Sequence, residues 1–199
     1  YGPSEKERLS EADLLFFKSS VSSKWVYATT KLTDELFTMA YAKSYHIKAT
    51  AIRLFNTIGP RQNSHYGMVV PRFVKQALAQ EPLTVYGSGQ QTRSFCDVRD
   101  IVVALDAIAN TPQTEGEVLN LGQDQLVTIE HLANLVKKYA GSASKIVYLS
   151  YKEAYGQDYE DILHRRPDLT KLNRFMTIDY QWTLDNTLLD LIKLQAPIN

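Results

Sequence analysis

Val118-Leu119-Asn120-Leu121-Gly122, then Thr128-Ile129-Glu130-His131-Leu132-Ala133-Asn134-Leu135-Val136-Lys137-Lys138-Tyr139-Ala140-Gly141, then Lys145-Ile146-Val147-Tyr148-Leu149 follow one another with little between them. The first run reads as a strand stopped by glycine. In the second, Thr128 can cap a helix whose Ile129, Leu132, Leu135, Val136 and Tyr139 form one stripe before Gly141. The third alternates as a strand does. Working outward, the pattern repeats. Asp100 is a plausible N-cap for a helix carrying Ile101, Ala104, Leu105 and Ile108 inward. Leu83-Thr84-Val85-Tyr86 is a short strand bounded by Gly87-Ser88-Gly89, read as a hairpin-like turn. Pro71 sits where a helix would start, Phe73, Val74, Ala77 and Leu78 fall on one face, and Glu81-Pro82 ends it. Residues 49–55 form a β-compatible run, read as a buried strand, stopped by Asn56 and Gly59-Pro60. Residues 25–44 form a long amphipathic helix with Leu32, Leu36 and Ala40 in a stripe flanked by Phe37 and Tyr41. Residues 1–23, rich in charges and turn formers, read as a surface loop. Strands alternating with helices indicate an α/β chain.

Composition bounds what such a chain does. Its 199 residues, 44% apolar, suffice for one well-buried core. Lys plus Arg and Asp plus Glu are each 22, so no cationic excess exists to neutralise a nucleic acid or an anionic membrane. The longest apolar run, residues 101–105, is far short of the roughly 20 residues that span a bilayer. A single cysteine, Cys96, can form neither an intrachain disulfide nor a cysteine zinc site, which predicts a cytoplasmic protein and, beside Phe95, a small buried hydrophobe. His46, His65, His131 and His164 lack metal-ligand spacing, so no metal is expected.

Tyr27 and Lys31 are the most informative local pair. Four residues apart on a helix, they share a face, so the ammonium can lie beside the phenol. A tyrosine titrating near about 10 is a poor base at neutral pH, and an adjacent positive charge favours its ionised form. Alone, the spacing is equally that of an ordinary surface pair.

Taken in order, Tyr1-Gly2, Tyr27-Ala28-Thr29-Thr30-Lys31, residues 53–62 (Arg-Leu-Phe-Asn-Thr-Ile-Gly-Pro-Arg-Gln), Val69-Val70-Pro71-Arg72-Phe73, Leu83-Thr84-Val85-Tyr86-Gly87, Gln91-Thr92-Arg93, residues 118–122 and Arg165-Arg166-Pro167-Asp168 resemble the extended short-chain dehydrogenase/reductases, in their NAD-dependent nucleotide-sugar epimerase/dehydratase branch. The resemblance covers essentially the whole chain. It implies the C-terminal part of a Rossmann-like doubly wound parallel sheet plus a smaller α/β substrate-binding domain. Residues 1–62 would complete the dinucleotide-binding domain with the Tyr-Lys helix. Residues 63–199 would be mainly substrate-binding, with 100–140 returning in part to the Rossmann sheet.

The roles implied follow position by position. Tyr27 is similar to the catalytic tyrosine that takes a proton from a sugar hydroxyl while the carbon beneath gives hydride to NAD. Lys31 is similar to its partner, which bonds the nicotinamide ribose and holds the phenol's pKa down. Thr57 would approach the nicotinamide. Asn56 would bond the nucleotide-sugar with a carboxamide that both donates and accepts; its other reading is a turn former. Arg93 and Arg165 resemble the arginines that grip the diphosphate, and Asp168 would bond a ribose hydroxyl or hold Arg165. Leu83, Thr84 and Tyr86 would edge the nucleobase, by backbone as much as by side chain. Arg61 reads equally as solvated, and Val69, Val70 and Phe73 read as core before ligand.

The resemblance further implies a UDP-sugar 4-epimerase that transiently oxidises sugar C4. UDP-glucuronate decarboxylase and 4,6-dehydratase are alternatives, as is a non-catalytic nucleotide-sugar binding module. A homodimer through the tyrosine helix is expected. Thr30 stands where Ser is common, and Arg99 where an acid is common. The residues contain no Gly-x-x-Gly-x-x-Gly, and the first is Tyr1 rather than Met, so the reading expects a fragment without turnover of its own and with exposed edges at 49–55 and 118–121.

Overall fold

The structure, a computed structural model, describes residues 1, 6–15, 23–63, 68–155 and 163–195. Their elements are α1 (Ser23–Tyr45), β1 (Ala51–Leu54), β2 (Thr57–Ile58), α2 (Val69–Leu78), β3 (Leu83–Tyr86), β4 (Thr92–Ser94), β5 (Cys96–Asp97), α3 (Val98–Ala109), β6 (Val118–Leu121), β7 (Leu126–Thr128), α4 (Ile129–Tyr139), β8 (Ile146–Leu149), α5 (Tyr151–Tyr155), β9 (His164–Arg165) and α6 (Leu184–Gln195). The expected α/β alternation is present, and most strand pairs are parallel. β1 pairs with β6 from Ala51 opposite Val118 to Leu54 opposite Leu121, β2 with β5, and β3 with β8. β4 lies antiparallel to β7 and parallel to β9.

Two apolar clusters hold these elements. One joins Phe73, Val74 and Ala77 of α2, Leu83 and Val85 of β3, Leu132 and Val136 of α4 and Leu188 and Leu191 of α6. The other packs Ile101, Ala104 and Ile108 of α3 on Leu119 and Leu121 of β6, with Cys96 and Leu172. Cys96 is buried as expected, and burial first, then the nearby Asp100 and Asp97, push its thiol up to about 12.

Thr128 caps α4 by accepting from the His131 N–H at 3.1 Å, as the sequence predicts. Other expectations are corrected. Asp97, not Asp100, caps α3: β5 runs straight into the helix, so the extended residue before its first turn is Asp97, which accepts from the Arg99 N–H at 2.8 Å. Asp100 is buried and takes the N–H groups of Gln181 and Trp182, each at 3.0 Å, tying the C-terminal segment to α3. Gly87 and Gly89 form a turn with φ of +71° and +76°, but β3 and β4 do not pair, so it is no hairpin. Leu9, in the segment read as a surface loop, is buried and bridges to Pro167. The stripe on α1 points outward: Leu36, Phe37 and Tyr41 are exposed, and Trp25 and Ala42 are the buried positions. The strand in 49–55 is only half-buried, and it meets 118–121 as its own partner.

Candidate functional site

The site forms at the carboxyl end of β1, where parallel α/β sheets leave room for ligands. Beyond Leu54 the chain is fixed by Phe55 N–H to Leu121 O at 2.9 Å and by Cys96 N–H to Asn56 O at 3.0 Å. Gly122 permits this path, since a Cβ there would stand 2.8 Å from the Cβ of Phe55. Beside this turn opens a cavity of about 480 Å³ whose walls include Tyr27, Asn56, Thr57, Tyr86, Arg93 and Arg165. A second, of about 550 Å³, lies between α1 and β1 and includes Tyr1, Lys31, Glu35 and Arg53. The two share Tyr27, Leu54, Phe55 and Arg165. Tyr86 and Gln91 line only the first.

Tyr27 presents its side chain to solvent at this junction, 68% exposed. The Lys31 ammonium donates to Asp34 at 2.6 Å. That bond and the Asp34 charge raise the lysine pKa, and Tyr27 lies close enough to add to the effect, so the ammonium persists at neutral pH. Asn56 spends its amide N–H on Ser94 O at 2.8 Å, and the Thr57 hydroxyl donates to Phe55 O at 3.1 Å.

Arg93 and Arg165 stand opposite each other in the parallel β4–β9 pair. With Arg72 they place three guanidinium groups on the first cavity, and among the described residues no carboxylate lines it. Such a wall suits a phosphate-bearing ligand.

Three sequence-predicted residues lie elsewhere. Leu83 has its side chain wholly inside the first apolar cluster and its N–H on Lys145 O, because β3 turns Leu83 and Val85 to the core. Thr84 lines neither cavity; its hydroxyl and N–H are taken by Gln76, at 3.0 and 3.1 Å. Asp168 also lines neither. Its carboxylate accepts from the Thr170 N–H at 2.8 Å, and the Thr170 side chain first, then this backbone bond, lower its pKa.

Sequence reasoning missed Arg72, Gln62 and Gln91. Arg72 lies over the Tyr86 ring at 3.9 Å and donates to Thr84 O at 3.1 Å, with its Nε buried and unbonded. Gln62 and Gln91 donate to Thr57 O and Tyr86 O, each leaving a buried Oε1 without a partner. The usable signal was an arginine directly after Pro71 in an otherwise apolar helix start. His65 lies outside the described residues.

No helix is long and apolar enough to cross a membrane, among the described residues. Residues 1–122 match the profile described as "NAD dependent epimerase/dehydratase family". The chain is 36% identical over 164 residues to the UDP-N-acetyl-alpha-D-glucosaminuronate decarboxylase of Bacillus cytotoxicus, covering 82% of this chain and 50% of that protein. It is similar to the structure of UDP-N-acetylglucosamine 4-epimerase from Methanobrevibacter ruminantium M1 in complex with UDP-N-acetylmuramic acid, with a TM-score of 0.82 and 29% identity over 97% of this chain and 58% of that one. UDP-glucuronic acid 4-epimerase from Bacillus cereus, in complex with NAD, gives 0.79 and 28% over 96% and 57%. The chain thus spans about half the length of these proteins, and its α/β fold is the Rossmann-like one they carry.

Proposed function

The chain belongs to the NAD-dependent epimerase/dehydratase family, and on that premise we propose that its first cavity takes a nucleoside-diphosphate sugar, a UDP-sugar foremost, for oxidation at sugar C4. The observation that carries this is a cavity lined by three arginines and, among the described residues, by no carboxylate, with the exposed Tyr27 on its wall. Arg93 and Arg165 grip the diphosphate, Asn56 bonds the sugar, and Tyr86 meets the nucleobase. Tyr27 accepts the proton of the C4 hydroxyl as general base, with the Lys31 ammonium one turn along the same helix. The second cavity offers the Tyr27 hydroxyl and Lys31 ammonium to a ribose, with Thr57 on the first, so these residues fit the nicotinamide end of NAD. NAD, when bound, supplies the hydride acceptor.

Return of hydride to the other face of the ketone makes this a UDP-sugar 4-epimerase. A second reading, decarboxylation of a UDP-uronate, is favoured by the 36% identity to the decarboxylase of Bacillus cytotoxicus. Residues 1–62 belong to the cofactor side and 63–199 mainly to the substrate side, with 100–140 returning in part to the sheet; the pairing of β1 with β6 supports this division. The exposed stripe of Phe37, Tyr41 and Tyr45 on α1 serves self-association into a dimer. A reducing, cytoplasmic setting suits the lone buried cysteine.

Calorimetric titration with UDP, UDP-glucose and UDP-glucuronate, with and without NAD, tests the site. UDP-dependent heat that weakens by about tenfold in Arg93→Met supports it, and no binding of any of them overturns it. Product analysis by NMR, on the polypeptide that carries this chain, then separates a C4 epimer from a decarboxylated pentose. Binding without turnover would point to a binding module.

A further inference from the structure

The geometry points to Asn120 as a positioning residue that holds Arg165 at the cavity, an inference that rests on the diphosphate reading above. Asn120 is the polar residue of β6, between Leu119 and Leu121, and its side chain is fully buried. A carboxamide sealed in that way is costly unless every group on it is bonded. Here each is. Its Oδ1 accepts from the Tyr1 hydroxyl at 2.6 Å, and its Nδ2 donates to Leu9 O at 2.8 Å and to Asp168 O at 3.2 Å.

The two carbonyl acceptors belong to segments that clasp each other. Leu9 N–H donates to Arg166 O at 2.9 Å and Asp168 N–H to Leu9 O at 2.8 Å, so Leu9 and Pro167 form a parallel bridge. Asn120 pins both sides of that bridge to the sheet. Arg165 immediately precedes it, in a strand of only 2 residues. The register also sets Arg165 opposite Arg93, so the aim of both side chains depends on how this short pair is held. So short a strand needs a rigid anchor to keep its guanidinium aimed, and a ligand then binds without first ordering it. Asparagine suits the position because the anchor must accept one hydrogen bond and donate two. Aspartate would set a carboxylate against two carbonyl oxygens.

The test is a double-mutant cycle on the chain, read by titration with UDP. Arg165→Met should weaken UDP binding by about tenfold to a hundredfold. Asn120→Asp should lose about tenfold, and the double variant should be no weaker than Arg165→Met alone, within about twofold. Asn120→Ser, which keeps one donor and adds no charge, should fall between wild type and Asn120→Asp, and it carries the same cycle if Asn120→Asp does not fold. A lower melting midpoint with unchanged UDP affinity, or losses that multiply in the double variant, would overturn the assignment while leaving the diphosphate reading intact. Wild-type chain that binds no UDP would overturn both, and that result is visible before any variant is made.

Discussion

Arg53 on β1 donates to both carboxylate oxygens of Glu35 on α1, at 2.8 and 2.7 Å, with each side chain only 16% exposed. Glu35 lies one turn beyond Lys31 and two beyond Tyr27, and Arg53 lies three residues before Asn56. One ion pair therefore sets the helix bearing the tyrosine and lysine against the strand that leads to the cavity.

Breaking that pair should be expensive. Arg53→Met or Glu35→Gln leaves one buried charge or polar group uncompensated, and each is expected to cost about 3–5 kcal/mol. Replacing both by apolar residues of similar volume should cost less than either single change. Urea unfolding of the three variants checks this. Single variants within about 0.5 kcal/mol of wild type would show the pair to be incidental.

Tyr27→Phe should remove C4 oxidation and leave the fold alone. Its side chain is exposed, so unfolding free energy should move by no more than about 0.5 kcal/mol. UDP should still bind, because no arginine is touched. Stopped-flow detection of reduced nicotinamide after mixing with UDP-sugar and NAD reads the chemistry, and a signal surviving in the variant would remove Tyr27 as the base.

Arg93→Met is expected to weaken UDP by about tenfold and to make binding less sensitive to salt, since one charge contact is lost. Stability of the ligand-free chain should fall by no more than about 1 kcal/mol, the scale of the bonds that the Arg93 guanidinium gives up to the Thr92 and Leu163 carbonyls. Titration at low and high ionic strength, with a melting curve for each protein, measures both.

Acid should loosen the attachment of α6. Burial pushes the Asp97 carboxyl upward, but bonds from the Arg99 guanidinium, the Arg99 N–H and the Thr187 hydroxyl outweigh it and hold the pKa below the ordinary 3.8. A carboxylate depressed in the folded state contributes stability fully above its unfolded value and loses it as pH falls through the folded one. The contribution should thus be complete above about pH 5 and vanish below the ordinary carboxylate range. Asp97→Asn should destabilise the chain at pH 7 and flatten that acid limb in chemical denaturation. An unchanged slope between pH 5 and 2 would deny Asp97 the role.

Much of the architecture was legible because local signals agreed with tertiary ones. Thr128 with its stripe, and the short strands at 83–86, 118–121 and 146–149, are such cases. Disagreement arose where local chemistry permits two answers. Asp97 and Asp100 can both cap a helix, and only the direct run of β5 into α3 selects the first. The apolar stripe on α1 looked like core, yet the described residues place nothing over Leu36, Phe37 and Tyr41. Of the residues the motifs single out, Tyr27, Asn56 and both arginines of the β4–β9 pair line one cavity, while Leu83 packs in the core and Thr84 bonds Gln76. Arg72, Gln62 and Gln91 escaped because their importance lies in orphaned atoms, which only coordinates reveal.

The absent side chain at position 122 has a practical corollary. Even one methyl there would stand 2.8 Å from the Cβ of Phe55 and push that residue away, and with it the peptide carrying Asn56. Anyone reshaping the pocket for a bulkier sugar would therefore gain more leverage from behind the wall than from the residues a ligand touches.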